Sequence, residues 1–492
     1  MNTTRKTTQT FIAHCLIIFQ GILLIPLITK VSGAEVYGLY IILVSIFNFI
    51  FGISSFGYGY KAMRYLPSIS NDPNKKSLLF IPQFYFQLVS VFLLSIICSS
   101  IMFYGLVNNL WLINGYWIPL TIILLLVHVV YSQGTIFFRY TNRIGALNLI
   151  TSIYPVLFIL LTLLTYFFTN TIVLNTLIVS SISAMGLISF FAYRPILKEV
   201  NFKPIIPNFL EFKQDIKLGL PLTLSYLVET IIAIGDRYLI AYFMTVKDVG
   251  MYHASYALGG IIIILAKVFG IILPPILSKK IDAGKTQECI NLIKTVLRIY
   301  LIVSIPFIFG GIVLGEDLLH LMTTKDLANE SWVVIPIISF GAVIFGVNMI
   351  LSNVLFVEQK TVVIFKANSV AALLNIALNI FLLGIFRNIE SAAISTIISH
   401  IVSFIIIKKN IDDKWTEALE IKFISYLLVI SCLMMVFIIL FNSLIEIENL
   451  LLGLSSGVLV GGLVYMSILF LSKKYISEEM NILKRAVNSL LN

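Results

Sequence analysis

Long apolar runs, broken by short polar stretches, recur about fourteen times along this chain. The runs cover residues 8–30, 37–61, 78–106, 112–133, 144–168, 171–193, 217–243, 249–276, 290–315, 331–357, 362–386, 390–408, 421–442 and 448–472. Each is long enough as a helix to cross roughly 30 Å of hydrocarbon. Barrel strands would be about ten residues long and would alternate strictly, and no run alternates. The pattern predicts an all-α integral membrane protein of about fourteen transmembrane helices. Composition agrees, with 59% hydrophobic and 12% charged residues over 492 positions. The first run is long and lacks a small-residue cleavage pattern, so no cleavable signal peptide is expected.

Charge sets the orientation. Sorted by the fourteen spans, 28 of the 34 basic residues fall on one side and 4 on the other (Lys30, Lys247, Lys325 and Arg387). Short loops rich in Lys and Arg stay in the cytoplasm. The expected topology is therefore multi-pass with both termini cytoplasmic, and the net charge of +10 is a topology signal rather than a sign of nucleic-acid binding.

Two basic residues remain, Arg237 and Lys267, deep inside apolar segments. A charge at that depth is costly and faces a water-filled cavity or an anionic partner. On the seventh span, Tyr226, Glu229, Ala233, Asp236 and Arg237 share a face. Glu229 lies about 18 Å along it from Lys217 at 1.5 Å per residue, near the midplane. Arg237 and Lys267 are candidates for contacting a diphosphate, Glu229 and Asp236 for ion coupling. The competing readings are a snorkelling Arg237, an Asp236 that orients it or a partner helix, and a Lys267–Glu229 pair. Asn368, Asn375 and Asn379 share a face of the eleventh span. Ser391, Ser395, Ser399 and Ser403 line the twelfth. Asn368, Asn375, Asn379 and Ser395 are candidates for sugar contact, although such residues more often hold helices together.

Several classes are disfavoured. Cys15, Cys98, Cys289 and Cys432 stand singly, in neither disulfide nor metal spacing, and His128 and His400 are lone histidines expected to be structural. No metal or cofactor is expected. No Gly-rich phosphate-binding motif appears. The outer loops are short, where polysaccharide polymerases carry large external ones, so no enzymatic activity is expected. Prolines at 26, 155, 221, 306 and 336 are expected to kink their helices, and Pro274-Pro275 to end one.

The chain also repeats itself. Ala34-Glu35-Val36-Tyr37-Gly38-Leu39-Tyr40 opens the second span and Val246-Lys247-Asp248-Val249-Gly250-Met251-Tyr252 the eighth. Gly38 aligns with Gly250 and Tyr40 with Tyr252. Six spans separate them, so the repeat is parallel, related by a pseudo-two-fold axis along the membrane normal, as in many transporters. The expected organisation is a six-helix bundle over 1–200, a second over 201–412, an extra helix pair over 413–472 and an amphipathic cytoplasmic tail over 473–492.

These segments carry a family resemblance. Leu23-Leu24-Ile25-Pro26-Leu27-Ile28-Thr29 followed by Gly33-Ala34-Glu35-Val36-Tyr37-Gly38-Leu39-Tyr40 resembles the start of Wzx-type polysaccharide flippases. Ile234-Gly235-Asp236-Arg237-Tyr238-Leu239-Ile240 with Gly250-Met251-Tyr252 is a second similar pattern. These translocases share the multidrug/oligosaccharidyl-lipid/polysaccharide exporter superfamily with drug extruders. The resemblance implies flipping of polyprenyl-diphosphate-linked oligosaccharide across a bacterial plasma (inner) membrane for O antigen or capsule, by alternating access. Implied partners are that lipid-linked sugar, membrane lipids, H+ or Na+, and a polysaccharide polymerase or chain-length protein. Lipid II flippases, by contrast, typically carry arginines in the first helix, and no charge lies between Lys6 and Lys30. The alternative is a cation-coupled multidrug exporter, a class that usually has twelve helices and acids within its first bundle.

Overall fold

The computed structural model describes residues 2–59, 62, 66, 72–107, 117–416, 419–445 and 447–471. The 473–492 tail lies outside them. Among the described residues every regular element is a helix. Twelve helices are long and apolar enough to cross a membrane. Among these, Phe19–Ser54 takes in parts of two predicted spans; the long helix Phe209–Phe243 is additional to the twelve.

The chain divides into two compact units, 1–231 and 232–492. In the first, helix α1 (Asn2–Ser54) is interrupted at Gly33, whose φ of 85° leaves the helical region. A left-handed conformation suits a residue with no Cβ, and it separates the predicted spans 8–30 and 37–61. Helices α2 (Pro73–Val107), α3 (Trp117–Tyr140), α4 (Ile144–Thr169) and α5 (Leu174–Leu197) follow. In this unit α3 packs on α5 and α2, and α1 on α4. Phe80, Phe84, Phe137, Ile188 and Ile196 belong to one core cluster of this unit.

Helix α6 (Phe209–Phe243) runs from the first unit into the second. The second unit continues with α7 (Val246–Gly259), α8 (Ile263–Asp282), α9 (Thr286–Met322), the short α10 (Lys325–Ser331), α11 (Val334–Val357), α12 (Thr361–Phe386), α13 (Ile389–Lys409), the short α14 (Asp413–Thr416), α15 (Ile421–Leu444) and α16 (Leu450–Leu471). The α15–α16 pair packs against α9, where Tyr465 Oη donates to Ile302 O at 2.8 Å.

Three local expectations need correction. The predicted span 249–276 is not one α-helix, because a 3-10 turn at Gly260–Ile262 separates α7 from α8. A Cβ on Gly259 would lie 2.6 Å from Ile335 O, so only glycine allows α11 to pass this close. Pro274-Pro275 does not end a helix, since α8 runs on to Asp282; neighbouring helices and local adjustments offset lost bonds in such helices. Pro336 lies in the first turn of α11, where a missing N–H breaks no intrahelical bond, so no kink is required.

Each unit carries an ion cluster at the ends of its long helices. Glu199 pairs with Lys76 at 2.7 Å and with Arg143. Partial burial pushes the Glu199 carboxyl up, but the hydrogen bonds and charges of Lys76 and Arg143 outweigh it and hold it below the ordinary carboxylate range. In the second unit Glu420 pairs with Lys294 and with Arg298. The Arg298 guanidinium also lies over the Phe423 ring, 4.7 Å from its centroid. The hydrogen bond from Lys294, together with Arg298, holds Glu420 low in the same way.

Candidate functional site

The second unit gathers polar side chains from four helices around one carboxylate. Asp236, on α6, is 4% exposed. It accepts hydrogen bonds from Tyr252 Oη of α7 (2.8 Å), Asn379 Nδ2 of α12 (2.8 Å) and Thr396 Oγ1 of α13 (2.9 Å). Asn379 Nδ2 also donates to Asn375 O at 3.0 Å, and Asn375 Nδ2 to Thr396 Oγ1 at 3.3 Å.

Local sequence explains how the ring is built. Thr245 caps α7: its Oγ1 accepts from Asp248 N, and the Asp248 carboxylate accepts from Thr245 N. This reciprocal box fixes where the helix starts, and Tyr252 falls one turn beyond Asp248. Asn388 Oδ1 caps α13 through Ser391 N at 3.1 Å, which sets the register of Thr396. Asn375 and Asn379, one turn apart, stack on one face of α12.

The chemistry of this ring is that of a buried anion held by neutral donors. Three donors stabilise the carboxylate without cancelling its charge. Arg237, the next residue along, interacts electrostatically with Asp236, His253 and Tyr256. Asn375 Oδ1 and Asn379 Oδ1 are buried without a hydrogen-bond partner among the described residues. A carboxylate, two amide oxygens and a hydroxyl make a donor set suited to a hard cation. No group of three or more His, Cys, Asp or Glu residues with metal-site spacing occurs among the described residues.

The other candidates fall elsewhere. Arg237 is half-buried, whereas Lys267 on α8 is exposed. Glu229 lies on α6, but its side chain is outside those described. Asn368 is half-buried near the start of α12. Ser395 is fully buried, and its hydroxyl donates to Ala392 O at 2.8 Å. Ser391, Ser399 and Ser403 are buried with it where α13 meets α11 and α12. His400 stacks near Phe345, with ring centroids 5.1 Å apart.

Sequence reasoning passed over Thr396, which sits beside the serine stripe, and over Tyr252 as a ligand. It also missed a chain of amides in the first unit. Gln83 Nε2 donates to Gln133 Oε1 at 3.4 Å, Gln133 to Gln87, and Gln87 Nε2 to Ser54 Oγ at 3.1 Å. All four residues are buried. The available signal was three glutamines inside apolar runs, two of them one turn apart.

Comparison with known proteins agrees with this architecture. The MatE family profile matches residues 221–381, a stretch that holds Asp236, Tyr252, Asn375 and Asn379. The probable low-salt glycan biosynthesis flippase Agl15 of Haloferax volcanii is 22% identical over 236 residues, 48% of this chain and 49% of that protein. The chain thus spans about half the length of this relative in the match. A structure of the lipid II flippase MurJ in an inward closed conformation superposes with a TM-score of 0.72. It is 16% identical and covers 97% of this chain and all of its own. An inward-facing multidrug resistance MATE family transporter of the MOP superfamily gives 0.56 at 14% identity, covering 84% of this chain and 95% of its own. These two structures share the fold.

Proposed function

We propose that this chain, a multi-pass transporter of the multidrug/oligosaccharidyl-lipid/polysaccharide exporter superfamily by its MatE match and its fold, flips polyprenyl-diphosphate-linked oligosaccharide. The movement runs from the cytoplasmic to the outer leaflet of a bacterial plasma membrane, by alternating access, and serves surface-polysaccharide synthesis such as O antigen or capsule. The reading rests above all on Arg237 and Lys267, two cations in membrane-crossing segments, because a diphosphate offers the charge that would make them worth keeping there. The glycan flippase named among the relatives supports the same substrate class.

The ion that drives the step is assigned to Asp236, with Glu229 as a further candidate, and is a proton or Na+. The MatE match favours a second reading, cation-coupled export of drugs. Reconstituted vesicles separate the two. Fluorescent polyprenyl-diphosphate oligosaccharide should reach the opposite leaflet at least about tenfold faster with the protein than without it, while uptake of cationic dyes should stay at the protein-free rate. Dye transport without lipid flipping would replace the first reading with the second.

Topology is part of the proposal. The 28-to-4 division of basic residues places both termini in the cytoplasm. Single cysteines introduced at Ser70, Ile205, Gly284 and Asp412 should react only with reagent on the inner side. Those at Asn109 and at Thr324, the exposed neighbour of the buried Thr323, should react only from outside. External labelling at Gly284 or Asp412 would overturn the orientation of the second unit.

A further inference from the structure

The connector between α5 and α6 carries large apolar side chains that stand exposed among the described residues. Ile206 is 92% exposed, Phe209 73% and Leu210 66%. The connector is nevertheless fixed on either side of them. Before the apolar group, Asn201 N donates to Ser77 Oγ at 2.9 Å and Tyr85 Oη to Phe202 O at 3.0 Å. The Phe202 ring also packs against Phe80, Phe84 and Tyr193. After it, the Phe212 ring meets Tyr58 and Phe86 at centroid distances of 5.0 and 5.3 Å. A strap pinned on both sides cannot fold its middle back over its own apolar groups. Pro204 and Pro207 stiffen it further, and Asn208 Oδ1 accepts from Leu210 N at the start of α6.

Basic side chains flank the apolar group. Lys198, Lys203 and Lys213 are exposed. One turn before Lys198, the Arg194 guanidinium lies 4.9 and 5.0 Å from the Phe190 and Phe191 ring centroids. Among the acids of the segment, Glu199 is paired with Lys76 and Arg143, and Glu211 and Asp215 each interact within the protein. Apolar residues bracketed by exposed cations are the signature of a segment lying in a membrane interface, its apolar side in the acyl boundary and its cations among anionic headgroups. Aromatic rings, like the pair under Arg194, are enriched at that level.

We propose that the 203–210 strap is a foot inserted into the inner leaflet, and that Arg194, Lys198, Lys203 and Lys213 select anionic phospholipid around it. It would anchor the first unit at a fixed depth, whatever substrate is carried.

The test uses the full chain in vesicles. Phe209→Trp adds an indole at the foot, and the parent protein supplies the background of the four native tryptophans. The added fluorescence should be quenched at least about two-fold by phosphatidylcholine brominated high on the acyl chain, and little by iodide present on both sides. Energy transfer from the added indole to dansyl-labelled phosphatidylglycerol should exceed transfer to dansyl-phosphatidylcholine by about two-fold, in line with modest attraction per basic residue. The excess should vanish when Arg194, Lys198, Lys203 and Lys213 are changed to Ala. Leu210→Trp serves the same purpose should Phe209→Trp fail to give a monodisperse protein. Iodide quenching without bromolipid quenching would put the strap in water and overturn the insertion, leaving a protein partner as the cover. Equal transfer to both dansyl lipids would overturn the headgroup selection.

Discussion

Replacing Asp236 with asparagine is expected to uncouple transport from its ion gradient while leaving the protein in the membrane. The carboxylate is buried, accepts from three side chains on three helices and interacts with the neighbouring Arg237, so its charge is stabilised locally. A buried anion of this kind gains from a cation that comes and goes, either a proton on the carboxyl or Na+ among the oxygens of Asp236, Asn375, Asn379 and Thr396. Asparagine keeps the size and one acceptor oxygen, whereas alanine would take the acceptor from Tyr252 Oη and Asn379 Nδ2 at about 1–3 kcal/mol each, while Thr396 Oγ1 keeps Ala392 O at 3.0 Å. The stimulation of flipping by an imposed gradient should therefore fall at least about tenfold in Asp236→Asn, a loss of about 1.4 kcal/mol of coupling. Thr396→Val distinguishes the ions. It removes a Na+ ligand and should raise the Na+ concentration needed for half-maximal rate several-fold, but should leave a proton-driven rate within about two-fold. An Asp236→Asn protein that answers proton and Na+ gradients as the parent does would move the coupling elsewhere, with Glu229 the next residue to change.

The spans were legible because hydropathy is a local property. Each long helix follows an apolar run, and Gly33 breaks α1 where the polar stretch after Lys30 predicted a turn. What stayed hidden was pairing at distance. Asn375 and Asn379 were visible as a polar stripe, and sugar hydroxyls were a reasonable partner for amides. Their actual neighbour is a carboxylate, reached from Asn379 across 143 positions of chain, and nothing local reports that. Thr396 was masked by the serines at spacing four beside it, which turn out to be packed among helices. The repeated motif shows the limit of symmetry as a guide. Tyr252 donates to Asp236, while its counterpart Tyr40 stacks near Phe158, centroids 6.5 Å apart. The same residue at the same place in the repeat serves a carboxylate in one unit and an aromatic cluster in the other, because the first six spans contain no acid for it to meet.

Removing the cations should abolish flipping, and Lys267 gives the cleaner measurement. Its side chain is exposed, so Lys267→Ala removes charge with little packing, and stability should stay within about 0.5 kcal/mol of the parent. Arg237 is half-buried and interacts with Asp236, His253 and Tyr256, so Arg237→Ala also disturbs its neighbours and needs a conservative companion. Lysine at 237 keeps the charge but loses the planar fork that grips a phosphate through two parallel bonds. If charge dominates, Arg237→Lys should retain a sizeable part of the flipping rate. If geometry dominates, it should fall close to Arg237→Ala. Each alanine variant should lower the rate at least about tenfold, a charge-assisted contact being worth about 1.5–3 kcal/mol. Lys267→Glu should fall further, because it sets a negative charge against the diphosphate. A double alanine variant that flips polyprenyl-diphosphate oligosaccharide at the parent rate would remove both residues from the path and with them the main support for an anionic substrate.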